Sequence, residues 1–178
     1  MEVFIIAALT ADGWIGRHDA DLSTRWTSKE DAAWFAEKSK AAGVVVMGSN
    51  TFHTLPRPLS GRVNIVFSRE IGKNQLELKR GIKLQPGEAY FTNQSPTEVI
   101  DILAVAGFTQ VAISGGATIY TLFMQAGLVD KLYLTIEPVV FGQGISLFND
   151  DVTAHLKLIN LKQLSSQTIM LEYQALRE

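Results

Sequence analysis

The chain has 178 residues, of which 47% are hydrophobic and 19% charged, so it suits one globular domain with a sizeable core. Its formal net charge of −2 gives no broad attraction to nucleic acid, and no apolar run approaches the roughly 20 residues that span a bilayer. The absence of cysteine excludes disulfides, thiolate metal ligands and cysteine nucleophiles, and it fits a reducing cytoplasm.

Predicted strands and helices alternate along the chain. Strands are predicted at 2–9, 44–47, 63–67, 82–84, 89–91, 110–113, 131–140, 156–164 and 168–176, and helices at 28–42, 96–106 and 116–125, with a short helix after 48–51. This alternation predicts an α/β fold with a central, mostly parallel sheet, helices on both faces and an antiparallel C-terminal edge. We expect residues 1–178 to form a single domain.

Residues 2–9 favour a buried strand over a signal peptide, because no basic segment precedes them and Asp12 and Gly13 follow immediately. The next segment, 10–26, is polar and also carries Gly16. A loop of this length in a compact domain is usually functional.

One carboxylate, Asp31, is the main candidate for a binding or reacting group. Ser28 is the expected N-cap of its helix, so completing a capping box is one explanation of Asp31. The alternative is that Asp31 faces the sheet, with Ala32 and Phe35, while Glu30 faces away because one residue turns a helix by about 100°. An inward aspartate needs a partner or its pKa rises, and an amidine-like donor pair on a heterocycle would satisfy it.

A second candidate, Arg62, follows a proline-rich kink at the start of a predicted strand. It is either a surface arginine at a strand end or a bidentate clamp on a substrate carboxylate. We expect Arg57, five positions earlier, to be exposed.

Two glycine turns, Ser114-Gly115-Gly116 and Gly48-Ser49-Asn50-Thr51, each lie between a strand and a helix. Each is either a tight turn or part of a phosphate site, because open α/β sheets bind phosphates where strands end and helices begin. Neither turn has the Gly-x-Gly-x-x-Gly fingerprint, but two such turns side by side would hold both ends of a dinucleotide. A later pair, Gly142 and Gly144, precedes no clear helix and is interpreted as loop.

No metal site is indicated, because His18, His53 and His155 lie in segments without ligand spacing. No nucleophile elbow is present either. Trp26 closes the long loop, and we favour an aromatic wall of the site for it.

The order and approximate spacing of these features resemble the dihydrofolate reductase family over nearly the whole chain. The matching segments are Ala7-Ala8, Trp14-Ile15-Gly16, Trp26, Asp31-Ala32-Ala33-Trp34-Phe35, Val46-Met47-Gly48, residues 57–65, Gly115-Gly116 with Tyr120, and Leu132-Tyr133-Leu134-Thr135. The resemblance implies a cytoplasmic oxidoreductase that uses NADPH to reduce dihydrofolate to tetrahydrofolate and that binds antifolate inhibitors.

The resemblance also implies roles for individual residues. Asp31 would hold the pterin ring with Thr135 hydrogen-bonded behind it, Trp26 would join them as a catalytic residue, and Arg62 would clamp the glutamate α-carboxylate. The implied substrate-binding set is Ala8, Asp31, Phe35, Leu55, Arg62, Ser114, Tyr120 and Thr135. The implied cofactor-binding set is Ala8, Ile15, Gly16, Gly48, Ser49, Asn50, Thr51, Phe67, Ser68, Arg69, Ser114, Gly115, Gly116, Ala117, Thr118, Ile119 and Tyr120, with a cis bond between Gly115 and Gly116.

The chain departs from the family pattern at several positions. Ser49 and Thr118 stand where the family usually has basic residues, which weakens the case for 2′-phosphate binding, and Arg69 is the expected replacement. Ser114 stands where an apolar residue usually touches the substrate. Residues 138–148 look more like the reductase domain of the riboflavin pathway.

Alternatives therefore remain open. The first alternative is a riboflavin-pathway or other pteridine reductase of the same fold. The second is a non-catalytic nucleotide-binding module, and an exposed Asp31 would favour this one. Monomer and homodimer also both remain open.

Overall fold

The structure, a computed structural model, describes residues 1–18, 21 and 23–176, with only the backbone at Thr24. The strands are β1 (Glu2–Thr10), β2 (Trp14–Gly16), β3 (Val44–Gly48), β4 (Val63–Phe67), β5 (Leu76–Glu77), β6 (Ala89–Thr92), β7 (Gln110–Ile113), β8 (Lys131–Glu137), β9 (Ile145–Ser146), β10 (His155–Gln163) and β11 (Ile169–Leu176). The helices are α1 (Lys29–Ala42), α2 (Ser49–Thr54), α3 (Pro96–Val105) and α4 (Ala117–Gln125), with a 3-10 turn at Ser23–Arg25.

A nine-stranded sheet in the order β10-β11-β8-β1-β7-β3-β4-β6-β5 forms the centre of the described chain. β1 pairs in parallel with both β7 and β8, and β11 and β10 add an antiparallel edge beyond β8. The predicted fold class is thus confirmed. The chain leaves β1 towards β3 and later returns to place β7 between them, so the strand order reverses beside β1. In open α/β sheets such a point opens a crevice at the carboxyl ends of the strands.

Helices cover both faces of the sheet. On one face Ile5 and Ile113 belong to a core that includes Phe123 of α4, and on the other Phe4 and Met47 lie in a core with Ala42 of α1. Strands covered on both faces read as continuous apolar runs, which explains why the four valine and methionine residues of β3 are at most 1% exposed.

The ends of α1 follow their sequence signals. Ser28 caps the helix by accepting a hydrogen bond from the Asp31 amide at 3.1 Å. Gly43 ends it with φ of 77°, a conformation that favours glycine. Within the helix the buried residues are Asp31, Ser39 and Ala42, whereas Ala32 is exposed but lines the same cleft as Asp31 and Phe35.

Other corrections concern the strands. No strand covers 82–84, because the Tyr90 hydroxyl donates to the Lys83 carbonyl and accepts from the Gln85 amide, which replaces a strand partner. The short strand of this region is β5, which pairs with β6. β8 ends at Glu137 rather than 140, since Pro138 has no amide to donate to a ladder.

The remaining differences lie at the periphery. The loop at 10–26 contains β2, which pairs with β9 in a separate two-stranded sheet. All nine residues of the edge strand β10 are exposed. None of the helices in the described ranges has the length and hydropathy that crossing a membrane would require.

Candidate active site

A cleft of about 1220 Å³ opens at the carboxyl ends of the central strands. Its walls come from the ends of β1, β4 and β7 and from the first turns of α1, α2 and α4. Sites for a drug-sized ligand enclose roughly 300–1,000 Å³, so this cleft has room for a dinucleotide together with a second ring system.

The substrate- and cofactor-binding residues that the resemblance implies all line this cleft, except Thr135. Of the three implied catalytic residues, Asp31 lines the cleft, whereas Trp26 and Thr135 do not. Thr135 is buried behind Asp31 and hydrogen-bonds to it. The Trp26 ring instead packs edge-on against Phe141, with ring centroids 5.3 Å apart, and its neighbour Thr27 reaches the cleft. Trp26 therefore does not form the aromatic wall that we expected.

Asp31 is a buried carboxylate that faces the cleft. It is 9% exposed, and the hydroxyls of Thr135 and Thr27 hydrogen-bond to it. Burial raises the pKa of Asp31 to about 6, against the effect of the Thr135 hydrogen bond, and the negative charge of Glu137 raises it further. No ion pair between described residues involves Asp31. Its carboxylate therefore retains acceptor capacity for a ligand.

The capping explanation of Asp31 accounts only for its backbone. Its amide completes the cap with Ser28, but in a capping box its carboxylate would accept from the Ser28 amide. That amide donates instead to Glu137 Oε1 at 2.9 Å. The carboxylate of Asp31 is left to point into the cleft.

Arg62 is a buried cation without an acidic partner among the described residues. It is 4% exposed, its Nη1 donates a long hydrogen bond of 3.5 Å to the Ala36 carbonyl, and its Nε has no hydrogen-bond partner among the described residues. The guanidinium lies 5.6 Å from the centre of the Phe35 ring, and burial lowers its pKa. Because Arg62 is buried, the surface-arginine explanation is wrong. A buried unpaired charge is costly unless a ligand of opposite sign compensates it. Arg57 is exposed, as predicted.

The two glycine turns meet at the other end of the cleft. The Gly48 amide donates to the Gly115 carbonyl at 2.8 Å, and a Cβ on Gly116 would come within 3.4 Å of Thr51 Oγ1. The Gly115–Gly116 peptide bond is cis, as the resemblance implies.

The helices that follow these turns have no side-chain caps. Serine hydroxyls cap α1 and α3, whereas Gly48 and Gly116 leave the first amides of α2 and α4 without a side-chain acceptor. Uncapped amides at helix N-termini are suited to bind phosphate. This end of the cleft thus fits the pyrophosphate of a dinucleotide such as NADPH.

The sequence did not identify part of the far wall. Ser68 and Arg69 line the cleft after β4, but so does the segment 92–96 after the neighbouring strand β6. The signal was present, because Ser95 and Pro96 begin a helix directly after a strand, as at the two glycine turns.

Described residues of the loop at 10–26 contact residues 138–146 beside the cleft, which Ile15, Gly16 and Ile145 line. Asp12 accepts hydrogen bonds from the Phe141 and Gly142 amides at 3.1 and 2.7 Å, and Arg17 lies 4.0 Å above the Phe141 ring. A Cβ on Gly144 would collide with the Gly16 carbonyl, so the glycine there permits a close approach of β2 and β9. These contacts could not be predicted from local sequence patterns, because they join segments more than 120 residues apart.

Comparisons with known proteins agree with this geometry. The sequence model of the dihydrofolate reductase family matches residues 2–145. A Caenorhabditis elegans protein with a provisional dihydrofolate reductase name is 27% identical over 97% of this chain and 91% of its own length. The dihydrofolate reductase of Haemophilus influenzae is 28% identical over 76% of this chain and 71% of its own length.

A solved structure with a different name shares the fold. It is a diaminohydroxyphosphoribosylaminopyrimidine deaminase/5-amino-6-(5-phosphoribosylamino)uracil reductase from Thermotoga maritima, with a TM-score of 0.76. The sequences are 18% identical, and the match covers 98% of this chain and 56% of that one. At this identity the likeness concerns the fold alone.

Proposed function

Because the chain belongs to the dihydrofolate reductase family, we propose that it reduces 7,8-dihydrofolate to 5,6,7,8-tetrahydrofolate with NADPH. One observation carries the proposal. Asp31 and Arg62, both buried and without ion pairs among the described residues, lie on one wall of a cleft whose far end has the uncapped first turns of α2 and α4. An acid for the pterin, a cation for the glutamate tail and amides for a pyrophosphate are the three groups that this reaction needs.

Asp31 and Arg62 fix the substrate at its two ends. Asp31 accepts two hydrogen bonds from the amino-pyrimidine edge of the pterin, and Thr135 and Thr27 hold the carboxylate in place. Phe35, one helical turn after Asp31, lies between the two and covers the middle of the substrate. This alignment brings the two flat rings to about 3–3.5 Å, the distance of a near-attack conformer.

When bound, NADPH supplies the hydride that is delivered to C6 of the N5=C6 bond. The chain has to bring a proton to N5, and Asp31 is too far round the ring to do so directly while it grips the distal amino group. A water that enters the cleft from solvent carries this proton, and Asp31 sets the electronic state of the ring.

A second candidate is a pyrimidine reductase of the riboflavin pathway. It is favoured by the fold shared with the Thermotoga maritima enzyme and by the segment 138–148. The buried Arg62 fits the glutamate tail of dihydrofolate, but a guanidinium also binds the phosphate of a phosphoribosylamino-pyrimidine, so turnover of the two substrates separates the candidates. An exposed Asp31 would favour the third alternative, a non-catalytic module, but Asp31 is buried.

The test is to mix the protein with NADPH and follow the loss of nicotinamide absorbance with dihydrofolate or with a phosphoribosylamino-pyrimidine. Loss with dihydrofolate supports the first proposal, and loss with the pyrimidine alone supports the second. Binding of NADPH without turnover of either would indicate a nucleotide-binding module. Protein with Asp31→Asn, purified in the same way, controls for contaminating reductases.

Arg69→Ala is expected to lower the ratio of NADPH to NADH efficiency about tenfold, roughly 1.4 kcal/mol. Arg69 lines the cleft beside the proposed adenosine site, whereas Ser49 and Thr118 provide no charge there. A phosphate that loses its cation loses charge-assisted hydrogen bonds that NADH never makes. Steady-state kinetics with both cofactors measure the ratio. Lys73→Ala, which removes an exposed cation outside the cleft lining, is the matched control, and an unchanged ratio in Arg69→Ala would contradict the role.

A further inference from the structure

Glu137 is a buried acid that the proposed reaction does not use. It lies at the end of β8, two residues after Thr135, and is 2% exposed. Its Oε1 accepts hydrogen bonds from the amide and hydroxyl of Ser28 at 2.9 and 2.8 Å. Its Oε2 accepts from the Thr168 hydroxyl at 3.1 Å. The hydrogen bonds to its carboxylate from described residues thus come from three donors, an arrangement that suits an acceptor.

The two serine-capped helices of the chain show what is unusual about this contact. In α3, Glu98 from the first turn accepts from the amide and hydroxyl of its own cap, Ser95. In α1 the equivalent position is Asp31, yet the amide and hydroxyl of Ser28 donate to Glu137, 109 residues away in sequence. An acid from the sheet thus replaces the acid of the helix in the capping box.

We propose that Glu137 is a positioning residue that releases the Asp31 carboxylate into the cleft and sets its charge state. Because Glu137 accepts from the amide and hydroxyl of Ser28, the Asp31 carboxylate is not drawn back into the cap and can face a ligand. Because Glu137 is itself negative and buried, it disfavours a second negative charge at Asp31. Burial of Asp31 is the largest cause of its raised pKa, and the charge of Glu137 adds to it.

Other charges near the two acids do not cancel this repulsion. On the same face of β8, Lys131 is engaged by Glu2 and Glu172 at 3.1 and 3.2 Å. Tyr120 of α4 also lines the cleft. The pKa of its buried phenol is raised mainly by burial and to a lesser extent by the charge of Asp31. Glu30, beside Asp31 on α1, has the same sign as Glu137 and is half-buried. The described residues place no cation in an ion pair with Asp31 or Glu137.

Glu137→Gln tests the proposal, because glutamine keeps the shape and an oxygen for Ser28 but removes the charge. With aspartate labelled at its side-chain carboxyl carbon, the Asp31 signal is identified by its loss in Asp31→Asn and followed by NMR against pH. The Asp31 midpoint in wild type is expected near 6 and should fall by roughly half a unit to one unit in Glu137→Gln. Glu30→Gln, which removes a neighbouring charge outside the cap, should leave it nearly unchanged.

Several outcomes would overturn the proposal. These are a wild-type midpoint near that of an ordinary aspartate, a midpoint unchanged or raised in Glu137→Gln, or equal shifts in Glu137→Gln and Glu30→Gln. If Glu137→Gln does not fold, Ser28→Ala retains the Glu137 charge while removing the hydroxyl between the acids. Its Asp31 midpoint should stay well above the ordinary value, and a fall to that value would show that hydrogen bonding, not charge, sets it.

The catalytic part of this inference rests on the proposed reduction of dihydrofolate, and the titration does not. In Glu137→Gln, the limb of the pH profile of turnover that reports Asp31 should move to lower pH by the same amount as the NMR midpoint. If no dihydrofolate is reduced but the midpoint shifts, the proposed function fails and the role of Glu137 stands. If turnover occurs but neither the limb nor the midpoint moves, the role of Glu137 fails alone.

Discussion

Asp31→Asn is expected to fold normally and to reduce dihydrofolate about 30- to 1000-fold more slowly at neutral pH. Asparagine keeps the shape of the side chain but loses the anion that would hold the pterin. Losing one charged hydrogen-bonding partner in a buried site costs on the order of 2–4 kcal/mol, which corresponds to that range of rates. Single-turnover measurement of hydride transfer separates this loss from slower product release.

The same substitution should stabilise the folded protein at neutral pH. The pKa of Asp31 is raised from 3.8 to about 6 in the folded state, so the folded state binds more protons than the unfolded state between these values. Stability is therefore lost as pH rises from about 4 to 6, by on the order of 1–3 kcal/mol. Asparagine does not ionise and avoids this loss.

Urea unfolding of wild type and Asp31→Asn at pH 7 and pH 4 tests the sign. The mutant should be the more stable protein at pH 7, and the difference should shrink at pH 4. A mutant that is less active and more stable cannot owe its lost activity to misfolding. Near-normal turnover, in contrast, would remove Asp31 from the mechanism.

Local signals predicted most of the fold. The apolar runs gave the buried strands β1, β3, β4 and β7, because strands covered by helices on both faces cannot accommodate polar residues. The predicted ends of α1 and α3 agree with the structure to within one residue, because Ser28, Gly43 and Ser95 are clear capping residues. The short strands β2, β5 and β9 escaped prediction, since two- and three-residue strands depend on a partner and not on their own sequence.

Site residues were predictable where both the type of residue and its place beside a predicted strand or helix pointed to a function. Asp31 and Arg62 are charged residues beside apolar segments, and the glycine turns follow strands, so each is visible in the sequence. Glu137 was not, because its role depends on two distant residues. Thr168 comes near it through the pairing of β8 with β11, and Ser28 comes near it where α1 begins beside the end of β8. Trp26 was misplaced for a similar reason, since its packing partner Phe141 lies in a distant loop.

Arg62→Leu is expected to weaken methotrexate binding about 30- to 4000-fold and to leave trimethoprim almost unaffected. Methotrexate has a glutamate tail and trimethoprim has no carboxylate, while both present a diaminopyrimidine to Asp31. Truncating one partner of a buried charge pair typically costs 2–5 kcal/mol, much of it from the other charge left unpaired. Here the unpaired charge would be the carboxylate of the ligand.

The stability of the unliganded protein separates a clamp from a structural arginine. Arg62 has no acidic partner among the described residues, so replacing it by an apolar residue removes an uncompensated buried charge and should be neutral or stabilising. Arg57→Leu, an exposed arginine five positions earlier and outside the cleft lining, is the matched control and should change neither inhibitor's affinity. Titration of both inhibitors against the three proteins gives the comparison. Equal losses for methotrexate and trimethoprim in Arg62→Leu, together with a loss of stability, would mean that Arg62 supports the fold and not the tail of the substrate.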